Sequence, residues 1–202
     1  MNDTLKLLIV VIVLSIVIAI VKKVSSAKLE KQLIQLVVDQ DFEGFEELVN
    51  SKKARKMIPP FNLDFIKLNV AMLKGNKKEI DRMFDHFDNV KPNKSQKEAV
   101  YGKGFYYYLS IEKYDKVEKY YNLLVKLENV KSMREFDRAY DTYVKNGHKF
   151  LAETLEELKT APDFSKPVLE GMISRMYENK KDEKMTKKYA DRAIRHMEEM
   201  KK

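Results

Sequence analysis

The chain has 202 residues, no cysteine, no tryptophan, a formal charge of +8 and 35% charged residues. The missing cysteine excludes a disulfide framework, a thiolate nucleophile and a Cys-ligated zinc site. Only 6 glycines and 5 prolines punctuate the sequence, too few for a fold of many short strands, so an all-α protein is predicted.

The first element is apolar. Leu7–Val21 reads LLIVVIVLSIVIAIV, a single serine among aliphatic residues. Counted from Leu5, with Lys6 able to snorkel, residues 5–21 are long enough for a short transmembrane anchor. A cleaved secretory signal is the alternative, since Ser25, Ser26 and Ala27 have the small size of a cleavage site. Lys22 and Lys23 stand between the apolar run and that site, where signal peptides are uncharged, which favours the anchor. Lys22, Lys23, Lys28 and Lys31 follow the span, and only Lys6 precedes it. The positive-inside bias therefore predicts a single-pass protein of the cell membrane with its C-terminal region in the cytoplasm. Residues 22–27 form a juxtamembrane linker, and 28–202 a helical domain.

From residue 28 onward apolar residues recur at three and four, the helical period. Breakers fall at Pro59-Pro60, Gly75-Asn76, Pro92-Asn93, Asn146-Gly147 and Ala161-Pro162, which predicts about ten helices in pairs. Ser95-Gln96-Lys97-Glu98 and Ser132-Met133-Arg134-Glu135 have the capping-box pattern of a helix start. In the first pair, Ser51-Lys52-Lys53-Ala54-Arg55-Lys56 concentrates positive charge. Lys52, Lys53, Arg55 and Lys56, with Lys22 and Lys23, are candidates for lipid-headgroup contact; a solvated loop is the plainer reading.

The pairs repeat. Phe45, Ile80, Val117, Leu151 and Met185 are separated by 35, 37, 34 and 34 residues. Four residues after each stand Val49, Phe84, Tyr121, Leu155 and Tyr189. Eight before stand Val37, Met72, Leu109, Tyr143 and Tyr177, and twelve before stand Leu33, Leu68, Phe105, Ala139 and Ile173. All are apolar or aromatic. A turn is expected between the two helices of each pair, at Gln40-Asp41, Gly75-Asn76, Glu112-Lys113, Asn146-Gly147 and Asn179-Lys180. The last helix, roughly 182–200, is rich in charge and suits a solvent-facing cap.

A helix–turn–helix unit of about 34 residues resembles the tetratricopeptide repeat. IEKYDKVEKYYNLL, residues 111–124, is similar to its turn and second helix, with Tyr114, Val117, Tyr121 and Leu124 at matching positions, and Pro92 matches a unit-closing proline. Positions that are small in the family carry Leu33, Leu68, Phe105 and Ile173 here, so the units are divergent. The resemblance implies an α-solenoid of about five TPR-like hairpins whose first helices line a concave face that binds protein or peptide partners. By position, that face carries Phe65, Asn69, Met72, Tyr106, Phe136, Tyr140, Tyr143 and Tyr177. Aromatic side chains there offer rigid contact area at low entropic cost, although packing between repeats is the competing reading for each. A family variant grips a C-terminal carboxylate with Lys and Asn; only Asn69 matches it, so that ligand is not expected.

Catalysis is not expected either. His86, His148 and His196 lie far apart without metal-ligand spacing, and Gly102-Lys103-Gly104 lacks the rest of a phosphate loop. No metal, cofactor, small-molecule substrate or nucleic acid is implied. The predicted function is a membrane-anchored, noncatalytic interaction scaffold for a protein partner. The alternatives are an accessory structural subunit of a membrane complex and, after signal cleavage, a secreted binding protein.

Overall fold

The computed structural model describes residues 24–128 and 130–200; the apolar segment read as an anchor, Lys22 and Lys23 lie outside them. Among the described residues the protein is all-α, with no strand. No described helix is long and apolar enough to cross a membrane. The chain divides into two compact units at Pro92 and Asn93.

The first unit contains α1 (24–38), α2 (Phe42–Asn50), α3 (Lys52–Met57), α4 (Pro60–Leu73) and α5 (Lys77–Asn89). Leu29, Leu33, Phe45, Val49, Ala54, Ile58, Leu63 and Val70 form one buried cluster. The second contains α6 (Lys94–Ser110), α7 (Tyr114–Val125), α8 (Met133–Tyr143), α9 (Leu151–Thr160), α10 (Lys166–Asn179) and α11 (Glu183–Glu199). A 3₁₀ turn, Asp163–Ser165, leads into α10. Each of the five breaker pairs lies in a connection or at a helix start; Pro60 opens α4, where its missing N–H costs nothing.

Among the described residues five adopt left-handed backbone: Gln40, Gly75, Glu112, Asn146 and Lys181. They recur at intervals of 35, 37, 34 and 35 residues. Four of them share one cap. The left-handed residue donates its N–H to the carbonyl three back (Gln40 to Val37, Gly75 to Met72, Glu112 to Leu109, Lys181 to Glu178). Its successor donates to the carbonyl five back (Asp41 to Leu36, Asn76 to Ala71, Lys113 to Tyr108, Asp182 to Tyr177). These paired bonds satisfy the last carbonyls of the first helix. The successor then starts the next helix, its side chain accepting from Gly44 N, Glu79 N and Met185 N at Asp41, Asn76 and Asp182. The left-handed residue of the last turn is Lys181, one position beyond Asn179-Lys180.

The turn at Asn146 is different. Seven residues separate α8 from α9, and the Asp141 carboxylate accepts from Lys149 N at 3.1 Å. Asn179, at the end of α10, donates its amide to the carbonyls of Thr142 (2.9 Å) and Gly147 (2.7 Å). The wide turn is thus held from α10.

Burial follows the register. Leu33, Leu68, Phe105, Ala139 and Ile173 are all buried, and Val37, Met72, Leu109, Tyr143 and Tyr177, one turn later, are all half-buried. Three local expectations differ. Helix α6 starts two residues before the predicted box, because Asn93 forms a capping box with Gln96; Glu98 instead accepts from Lys131 N at 3.2 Å. Ser132 makes no side-chain cap, its ψ of 19° turning it away from the extended conformation a cap needs. The basic segment is a short helix, α3, capped by Ser51.

Candidate functional site

Six tyrosines crowd residues 106–121, and the second unit sorts them into wall and surface. Tyr120 is fully buried on α7, stacked on Tyr108 at 5.6 Å between ring centroids. Its ring lies against Gly104, where a Cβ would stand 2.9 Å from three of its carbons. Gly102 is similarly covered by Phe136, 2.9 Å from a would-be Cβ. Gly102-Lys103-Gly104 is therefore helical interior, and its glycines admit two rings. Tyr121 stacks face to face on Tyr140 of α8, centroids 4.0 Å apart, and donates to Asp137 Oδ1 at 2.8 Å. Its phenol pKa is pushed up to about 12, by burial first, then by this hydrogen bond and the Asp137 charge.

These packed rings support an open cleft of about 500 Å³ in the second unit. Tyr106, Leu109 and Ser110 come from α6, Ala139 and Tyr143 from α8, and Val168, Met172 and Arg175 from α10. Glu112 and Tyr114 complete the lining. The cleft is thus walled mainly by three alternate helices, each the first of its pair. Tyr106 is 45% exposed and Val168 68% exposed, so apolar surface faces outward. The Tyr106 phenol has a raised pKa, from burial first and the Glu135 carboxylate second, with Arg138 opposing. The Tyr143 phenol is raised by burial, with Arg175 opposing. Both are neutral hydrogen-bond donors at physiological pH. Arg175 is oriented by Glu178 (2.6 Å) and Asn146 (3.1 Å). The site therefore offers aromatic and aliphatic area with a cation and a carboxylate at its edges. The size suits one or two side chains of a partner.

The predicted groove residues divide. Tyr106 and Tyr143 line the cleft. Phe136 and Tyr140 are buried behind it, 6% and 8% exposed, because the α6–α7 pair presses on them. Tyr177 turns to stack on Tyr189 of α11 at 5.7 Å. Phe65, Asn69 and Met72 belong to α4 in the first unit, all half-buried. Phe65 stacks on Phe61 there, and Asn69 Oδ1 is enclosed with no donor among the described residues. Leu109, which the repeat register marks as an apolar position, lines the cleft but was not among the groove residues. Val168, Met172 and Arg175 were missed, although they lie on the same face of α10 one helical step apart, a spacing legible once α10 is known to begin at Lys166.

Two of the three histidines are paired with carboxylates, and His148 is exposed. His86 Nε2 lies 2.9 Å from Asp64, and His196 Nδ1 2.6 Å from the fully buried Glu170. Arg192 Nε also reaches Glu170 at 2.8 Å, an ion-pair distance without good hydrogen-bond alignment. Among the described residues no group of His, Asp and Glu is arranged to hold a metal ion.

On α3, Lys52, Lys53, Arg55 and Lys56 are exposed around the buried Ala54. Comparison with family models, with curated proteins and with solved structures finds no match to this chain, so the cleft is read from its own residues.

Proposed function

We propose that the protein is a noncatalytic interaction scaffold, anchored in the cell membrane by residues 5–21, with its helical domain in the cytoplasm. Its helices form a divergent TPR-like α-solenoid, and the cleft on α6, α8 and α10 takes a protein or peptide partner. The observation that carries this reading is the cleft itself: three successive first helices converge on one open, apolar-walled space of about 500 Å³. The left-handed turns at intervals near 35 residues support the repeat assignment. Tethering adds effective concentration, confining the cleft to the layer where its partner works.

The test is crosslinking and affinity capture of the full-length protein from its own membranes. A double variant, Tyr106→Ala with Val168→Lys, removes the aromatic wall and puts a charge at the mouth; because Tyr106 also packs on Phe105 and Phe136, circular dichroism first confirms that the variant stays helical. Ile194→Lys, on an exposed position of α11, is the control. A partner lost in the double variant and kept in the control is the expected result. Identical partners in all three proteins would end the cleft's claim.

A further inference from the structure

The short helix α3 belongs to the unit that follows the apolar segment in the chain. Helix α1 runs toward the turn at Gln40, and α2 returns for nine residues, ending at Asn50. Asn50 therefore lies level with about residue 31, and residues 24–30 project beyond α2 by about 10 Å at 1.5 Å per residue. Helix α3 fills that corner. Ala54 is fully buried in one cluster with Leu29 and Leu33 of α1 and Leu63 of α4. Glu30 of α1 accepts from Asn62 of α4 and from Ser26, both at 3.3 Å, which pins the start of α4 to the start of α1. So α3 packs beside the first turns of α1, at the end of the unit nearest residues 5–21 in sequence.

Its charge is not paired within the unit. Lys52, Lys53, Arg55 and Lys56 are exposed, α3 contains no acidic residue, and none of the four makes an ion pair with a described residue. Lys52 and Lys53 occupy the first turn, where the helix dipole disfavours cations, and Arg55 and Lys56 the last, where it favours them. Lys28 and Lys31 are exposed on the same stretch of α1. A cationic surface on the unit that directly follows the proposed anchor matches the anionic face of a bilayer, whose potential decays within a Debye length.

We infer that α3 is a footing on anionic phospholipid headgroups, which holds the first unit against the membrane surface. The inference rests on the anchor reading above. The full chain is reconstituted into vesicles of phosphatidylcholine alone or with phosphatidylglycerol at three to one. A single introduced cysteine carries a fluorophore at exposed Pro59, beside α3, or at Lys77, at the far end of α4, and the lipid carries a headgroup quencher. Because the natural chain has no cysteine, the label is unique. Expected is quenching at Pro59 that is several-fold stronger with phosphatidylglycerol, falls with added salt, and drops to the phosphatidylcholine level when Lys52, Lys53, Arg55 and Lys56 are all changed to Gln. Quenching at Lys77 stays low throughout. If the chain floats with both vesicles but Pro59 quenching ignores lipid charge and the four substitutions, the footing is wrong and the anchor stands. If the chain floats with neither, the anchor reading fails and takes the footing with it.

Discussion

Helices α6 and α7 close on each other through rings laid on glycine, whereas α8 and α9 are joined by arginine–glutamate pairs and by common packing on α10. In the first case Tyr120 lies on Gly104 and stacks on Tyr108, and the paired cap at Glu112 returns the chain in three residues. In the second, Arg134 pairs with Glu153 and Arg138 with Glu157, and the turn needs seven residues. The same nominal helix pair is thus built by close approach in one place and by charge in the other. Helix α8 of the looser pair, with α10, supplies half of the cleft wall, and the α6–α7 pair with its turn supplies the other half. Close approach demands small residues at fixed positions; charged side chains span a wider gap and leave apolar surface uncovered.

The largest expected effect tests the close approach. Alanine is worth about 1 kcal/mol more than glycine in a helix interior, yet Gly104→Ala places a methyl against the Tyr120 ring and should lose about 2 kcal/mol by overpacking. Gly171→Ala on α10 meets nothing within 4 Å and should gain about 0.5–1 kcal/mol. Thermal melting of the full chain, followed by circular dichroism, separates them; equal signs would show that ring-on-glycine packing does not hold α6 to α7.

The charged pair comes next. Arg138 is 7% exposed, so Glu157→Ala leaves its cation buried and should cost about 1.5 kcal/mol. Glu153→Ala, whose partner Arg134 lies in solvent, should cost less, and that cost should fade with salt. Equal, salt-sensitive losses from both would mean that the pairs are surface decoration.

A smaller gain is expected at the tight turn. Glu112 holds φ at 56°, a strained conformation that glycine adopts freely. Glu112→Gly should therefore raise stability by about 0.5–1 kcal/mol, after the entropy lost with glycine is counted. Asn146→Gly, at the wide turn, should do less because asparagine tolerates that conformation.

The mildest test uses pH. The Tyr121 phenol lies at about 12 against an ordinary 10.0, so the folded chain holds that proton more tightly than the unfolded chain. Its contribution is fully present below pH 10 and disappears as pH rises from 10 to about 12. Tyr106, Tyr140, Tyr143 and Tyr177 are raised in the same sense. Urea midpoints should fall across that window, and less steeply in Tyr121→Phe.

Several features were legible in the sequence because they depend on neighbours along the chain. Apolar spacing located the buried positions from Leu33 to Ile173, and the glycine, proline and asparagine breakers located the connections. The cleft was partly legible: Tyr106 and Tyr143 lie on a face that period alone defines. Phe136 and Tyr140 share that face in projection, yet they are covered by α6 and α7, and helical spacing cannot say how near a neighbouring helix comes. The same gap hid Tyr120, which the repeat register leaves unplaced until Gly104 is known to lie opposite.

What the sequence determined by itself is therefore local: helical period, the intervals between turns, and an apolar run at the start followed by lysines. Tertiary structure alone decided which aromatics are wall and which are surface, why two glycines sit inside α6, and that Ala54 of α3 is buried in one cluster with Leu29 and Leu33 of α1. These depend on contacts between residues far apart in the chain, and a one-dimensional pattern carries the period of a helix but not the distance to its neighbour.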